Sequence, residues 1–155
     1  MKTASILKHV NIRCAADGLL GLALLAAAMV AAPHAGLADE DAINDTGAKV
    51  QPVTMEKLPN VPGKSISAVV VTYAPGGKSS KHHHAGSVLA YVLSGAIRSE
   101  NSATGAARVY KAGETFFEPA GSEHLVSENA STTEPASLLA IFVADDGAHL
   151  TTFDK

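Results

Sequence analysis

From Ser65 onward the chain is a succession of short apolar runs divided by turn-forming clusters, with no long helical period among them. Ile66–Tyr73, Val88–Leu93, Ala96–Arg98, Ala107–Lys111, Thr115–Glu118, His124–Ser127 and Leu138–Val143 are rich in Val, Ile, Leu, Tyr and Phe. Pro75-Gly76-Gly77, Ser94-Gly95, Asn101 to Gly105, Ala112-Gly113, Pro119 to Ser122 and Asn129 to Pro135 separate them. Short β-prone runs at regular spacing with Gly and Pro between them predict an all-β sandwich or barrel. No tandem repeat is present, so one barrel unit is expected. Tyr73, Leu89, Tyr91, Phe142 and either Phe116 or Phe117 are the expected core, and one or two of them can instead line an apolar cavity. Gly95 is expected to close a tight hairpin.

The first forty residues have a different texture. Lys2, Lys8, His9 and Arg13 make a basic start, and Leu19 to Ala32 carries no charge. A helix of that length spans about 21 Å, short against a hydrocarbon core of about 30 Å. Pro33, small residues to Ala38 and the acidic run Asp39-Glu40-Asp41 follow. This pattern predicts a bacterial secretory signal peptide over residues 1–38, cleaved after Ala38, and a periplasmic or secreted product. An uncleaved membrane anchor is the alternative. No twin-Arg pair is present, which favours the general secretion route.

Composition matters once the leader is set aside. Of 155 residues, removing 38 leaves 117, with nine Lys/Arg and fourteen Asp/Glu, a net charge of −5. An acidic chain argues against nucleic acid as partner, and against docking on anionic lipid after cleavage. Cys14 is the only cysteine and departs with the leader, so the mature protein is expected to have neither a disulfide nor a thiol nucleophile. Its core, with or without a metal, must hold it together. Residues 39–64, with Pro52, Pro59 and Pro62, are expected to form an N-terminal arm or edge strand before a barrel over 65–155.

Three histidines are consecutive: His82, His83 and His84. In a strand, positions i and i+2 share a face, so His82 and His84 can project together while His83 points away. His124 opens another expected strand. If the two strands are neighbours, three imidazoles converge. Imidazole suits Zn, Cu, Fe and Ni, and three protein ligands with open positions are catalytic in type. The alternative is a solvated His loop that meets metal only adventitiously. His149 reads as a surface residue.

Two spacings resemble the cupin superfamily. Gly76, five residues, His82, one residue, His84 and then Gly95 matches its first motif, and Tyr91 to Gly95 resembles that motif's ending. Gly113, five residues, Pro119, one residue, Gly121, two residues and His124 matches the second. The resemblance covers roughly Ser65 to Val143. It implies a small cupin-type double-stranded β-helix, a jelly-roll barrel, with one divalent transition metal inside (Fe, Mn, Ni, Cu or Zn) on His82, His84 and His124. It also implies a homodimer. Two positions depart from the pattern. Val88 stands where the family has a Glu ligand, and Glu128 where it often has Asn, with Asn129 beside it.

Glu118, just before Pro119, occupies a position often apolar in the family. Facing inward, it would be a fourth ligand or a general base; facing outward, a rim carboxylate. Glu123 is expected on the surface. Arg98 is either a clamp for a substrate carboxylate or a solvated strand residue. Three functions remain open: a metal-dependent dioxygenase-like enzyme acting on a small molecule, a non-enzymatic module holding a metal or small ligand for sensing or storage, and a metal-free ligand-binding barrel.

Overall fold

A computed structural model describes residues 47–154. The signal peptide and cleavage point expected from the sequence lie outside the described residues. The described residues form eleven strands: β1 (Ala48–Lys57), β2 (Lys64–Tyr73), β3 (Lys78–Ser79), β4 (His82–His84), β5 (Ser87–Ser94), β6 (Ala96–Asn101), β7 (Gly105–Lys111), β8 (Thr115–Glu118), β9 (Glu123–Asn129), β10 (Ala136–Asp145) and β11 (Thr151–Phe153). They form two antiparallel sheets, one in the order β1-β2-β10-β5-β8, the other β11-β4-β9-β6-β7 with β3 also on β9. The fold is the all-β jelly roll implied by the two motifs.

Every β-prone run of the sequence is a strand, three of the seven extended at both ends, three at one end, and Thr115–Glu118 unchanged. Residues 48–57 form β1, the edge of the five-stranded sheet, paired only with β2. Its register slips between Pro52 and Thr54. Pro52 has no N–H to give to a ladder, and an edge strand or bulge is where a sheet tolerates that.

The core lies between the sheets. Tyr73, Val88, Ala90, Val92, Ile97, Phe116, Leu138, Ala140 and Phe142 are buried there. Leu89, Tyr91 and Phe117 are instead exposed on the outer face, which corrects the expectation that Leu89 and Tyr91 fill the core. Side chains alternate across a strand. The β5 register opposes Val88 to Phe142 and Ala90 to Ala140, so even-numbered residues go in and odd-numbered ones out.

Gly95 also differs from expectation. It does not close a hairpin, because β5 pairs with β10 and β8 while β6 pairs with β7 and β9. The chain crosses from one sheet to the other at this residue. Its φ is 66°, and a Cβ there would stand 2.8 Å from the Pro135 carbonyl oxygen. Only glycine combines a left-handed backbone with so close an approach.

Candidate metal centre

The centre is built on the pairing of β4 with β9, which sets His82 directly opposite His124 and His83 opposite Glu123. Strand alternation then puts His84 on the inner face beside His82 and turns His83 outward. His82, His84 and His124 are 6%, 6% and 3% exposed. One nitrogen from each ring lies within 4.8 Å of the others. His83 is half-exposed, 3.7 Å from Asp154.

The turn between β8 and β9 fixes the approach of His124. Ser122 N–H donates to the Pro119 carbonyl at 3.1 Å, and Gly121 N–H to the His84 carbonyl at 2.8 Å. Gly121 has φ 73°, the left-handed value that the third residue of a type II turn requires. The turn is thereby tied to β4, and the His124 strand to the His82 strand.

Each ring is held by a hydrogen bond through one of its nitrogens. His82 Nδ1–H donates to the Ser80 carbonyl at 2.7 Å. His84 Nδ1 is 3.2 Å from the Leu150 carbonyl and 3.1 Å from Thr151 Oγ1. Carbonyl oxygens only accept, so both rings carry the proton on Nδ1 and turn a lone pair inward on Nε2. His124 Nε2 pairs with Ser99 Oγ at 2.9 Å. Its Nδ1 is buried and makes no hydrogen bond. Outer partners that orient an imidazole and fix its tautomer are what metal-ligating histidines ordinarily have. A buried ring nitrogen without a hydrogen bond is costly in an empty protein interior and satisfied by a metal ion. These residues fit a divalent transition metal.

Burial lowers the His82 pKa from 6.5 to about 4, against the pull of the Ser80 carbonyl. Burial also lowers His84, against Glu118 and the Leu150 carbonyl. Both rings are neutral at pH 7, the state in which imidazole binds metal. Phe153 packs at 5.4 Å from the His82 ring, Phe142 at 5.1 Å from His84 and Phe116 at 6.0 Å from His124.

Glu118 points inward, its side chain 4% exposed, with Oε2 2.9 Å from His124 Nδ1 and 3.8 Å from His84 Nε2. The first contact has the distance of a hydrogen bond but not its geometry. Desolvation would raise its pKa, but the neighbouring imidazoles of His124, His84 and His82 outweigh it and hold the carboxyl below its ordinary value. Opposite Glu118 on β5 stands Val88.

The other candidates lie apart. Arg98 faces solvent and pairs with Glu128 at 2.8 Å. Glu123 is exposed and pairs with Lys81 at 3.2 Å, and His149 is exposed. Ser99 and Asn101, 5% and 3% exposed, belong to the site and were not foreseen. Asn101 Nδ2–H donates to Ser122 Oγ at 2.9 Å and reaches Glu118 Oε2 at 3.5 Å. The alternation Ile97, Ser99, Asn101 along one strand face was the signal available.

A family model described as a cupin domain matches residues 69–142. Germin-like protein subfamily 2 member 2 of Arabidopsis thaliana is 33% identical over 113 residues, covering 70% of this chain and 51% of the relative. The chain thus spans about half the length of that curated relative. Among solved structures, an oxalate oxidase in complex with the substrate analogue glycolate superposes with a TM-score of 0.55 at 23% identity, over 74% of this chain and 58% of that one. A Bacillus subtilis oxalate decarboxylase mutant superposes with a TM-score of 0.54 at 28% identity, over 72% of this chain and 29% of that one.

Proposed function

The chain belongs to the cupin superfamily, and on that premise we propose that it is an exported single-domain cupin that binds one divalent transition metal and acts as a metal-dependent, dioxygenase-like enzyme on a small organic substrate. The observation that carries the proposal is the set of His82, His84 and His124, buried together with one nitrogen of each ring turned toward the others. A bound metal would supply Lewis acidity and a template for substrate. The protein's residues do the rest. The Ser80 and Leu150 carbonyls, Thr151 and Ser99 orient the rings, while Phe116, Phe142 and Phe153 limit water around them.

Likeness to an oxalate decarboxylase supports a small organic acid as the substrate class. Three neutral imidazoles leave the metal's charge to be balanced, which also favours an anionic ligand. The basic start and uncharged run of the leader support export to the periplasm. The outer face of the five-stranded sheet supports a homodimer. Leu89, Tyr91, Leu93, Phe117 and Val143 are 41–49% exposed there, and Leu89 pairs with both Phe117 and Ile141 across the strands. Contiguous apolar patches of this kind mark interaction surfaces.

A second reading is that the barrel holds a metal or small ligand for sensing or storage without turnover. Near-complete burial of all three imidazoles favours it. Metal content by mass spectrometry, on protein purified without an affinity tag, tests the site. Near one equivalent is expected, and little or none after reconstitution would overturn both readings. Oxygen consumption or product formation with small carboxylic acids separates enzyme from store.

A further inference from the structure

We propose that Glu118 is a fourth metal donor, delivered from β8 to a centre whose three histidines come from β4 and β9. This rests on the three-histidine reading and adds to it an anionic oxygen from the opposite sheet.

Among the described residues Glu118 is the one buried charged side chain on its sheet, where Ser67 on β2 is a buried hydroxyl. The other buried side chains of β5 and β8 are Val88, Ala90, Val92 and Phe116. Among the described residues its ion-pair neighbours are the imidazoles of His84 and His124, with no Lys or Arg. Asn101 donates a long hydrogen bond to it, at 3.5 Å. A carboxylate this buried requires positive charge beside it, and imidazoles that bind metal are neutral and do not supply it. Glu118 Oε2 lies 2.9 Å from His124 Nδ1, the same ring nitrogen that lacks a hydrogen bond. A divalent cation at this centre would give both atoms a partner. A set of three imidazoles and one carboxylate then leaves a bound divalent ion with a net charge of one, and its oxygen donor suits Fe(II) or Mn(II) better than imidazoles alone.

The register shows how the donor is supplied. Val88 and Glu118 are direct partners in the antiparallel β5–β8 pair, and both point inward, 1% and 3% exposed. Cβ atoms of such partners stand about 4.5–5.5 Å apart. A carboxylate planted at either position can therefore reach the same point.

The test uses Co(II) as probe with the full chain, untagged, in four forms: wild type, Glu118→Gln, Glu118→Val, and the exchange Val88→Glu with Glu118→Val. Stoichiometry comes from mass spectrometry, affinity from chelator competition and ligand set from the visible Co(II) spectrum. Circular dichroism of each metal-free form verifies folding. Glu118→Gln is expected to weaken Co(II) by at least about tenfold and to change the spectrum. Glu118→Val is expected to do the same, and the exchange to restore both affinity and spectrum toward wild type. If Glu118→Gln binds Co(II) with the wild-type spectrum, Glu118 only positions His124 and the proposal fails while the three-histidine site stands. An exchange variant that folds but is no better than Glu118→Val also overturns it. If wild type binds no Co(II), both readings fall.

Discussion

The two sheets of this barrel face each other with different inner surfaces. The five-stranded sheet presents Tyr73, Val88, Ala90, Val92, Phe116, Leu138, Ala140 and Phe142, with one buried hydroxyl, Ser67, and a single carboxylate, Glu118. The six-stranded sheet presents His82, His84, Ser99, Asn101, His124, Ser127 and Asn129, with Ile97 the buried apolar exception. One sheet supplies the burial that a chain of this size needs to fold, and the other supplies donors. On the second sheet the buried hydroxyls and amides and one nitrogen of each imidazole have hydrogen-bond partners, and His124 Nδ1 is the buried atom that has none. Tyr73 shows how the two are joined: its ring is in the core, and its hydroxyl bridges Ser79 at 2.9 Å and Ser127 at 2.8 Å. Burial raises the Tyr73 pKa, despite both hydrogen bonds.

This division can be broken by experiment. The largest effect is expected from His84→Ala, which should abolish stoichiometric metal binding while circular dichroism still reports a folded barrel. Metal content unchanged in that variant would remove His84 from the centre. Next is Phe142→Ala on the other sheet. Truncating a buried Phe costs about 3–5 kcal/mol, so the denaturant midpoint should fall sharply, yet the fraction that stays folded should still bind metal. If the two substitutions exchange phenotypes, the division is wrong.

A third expectation concerns acid. The folded His82 pKa, about 4, lies below the ordinary 6.5, so as pH falls the unfolded chain takes up a proton first. The stability that His82 contributes is complete above pH 6.5 and is lost between 6.5 and about 4. In the metal-free protein the loss amounts to about 3 kcal/mol. Urea titrations across this range measure it, and His82→Asn should flatten the slope. Smaller again is Ser99→Ala, which removes the partner of His124 Nε2. Metal affinity should fall by about tenfold or more, with stability changed by about 1 kcal/mol. The smallest effect on both barrel and metal is expected from Leu89→Lys on the outer face. It should shift a sedimentation profile toward monomer while metal content stays at wild-type level; an unchanged profile would take this face out of any dimer.

The same contrast explains what was legible beforehand. Strand positions followed from composition and turn residues, because Gly and Pro punctuate every run. The facing of His82 and His84 followed from their spacing. The facing of Val88 to Leu93 did not, because the run is apolar at both parities and either choice buries a good strand. Its choice comes from pairing with β10, which lies some fifty residues further along the chain. Gly95 has the local conformation of a turn residue, and no local signal distinguishes a hairpin from a crossover between sheets. Ser99 and Asn101 resemble the solvated side of a strand until β6 is laid beside β9. Glu118 was open in either direction for the same reason, since the sequence does not reveal that its strand partner is a buried valine.

The short strand β11 is at once an edge of its sheet and a support of the site. It lies at the sheet edge, paired only with β4, yet residues of and next to it accept from His84 and pack on His82. Short edge strands open at low free-energy cost, well before the whole domain unfolds. Each opening would release the anchor of one imidazole and uncover another. Departure of a bound ion would then be timed by fraying at Thr151–Phe153, and a loaded centre would slow amide exchange in that strand more than anywhere else in the barrel.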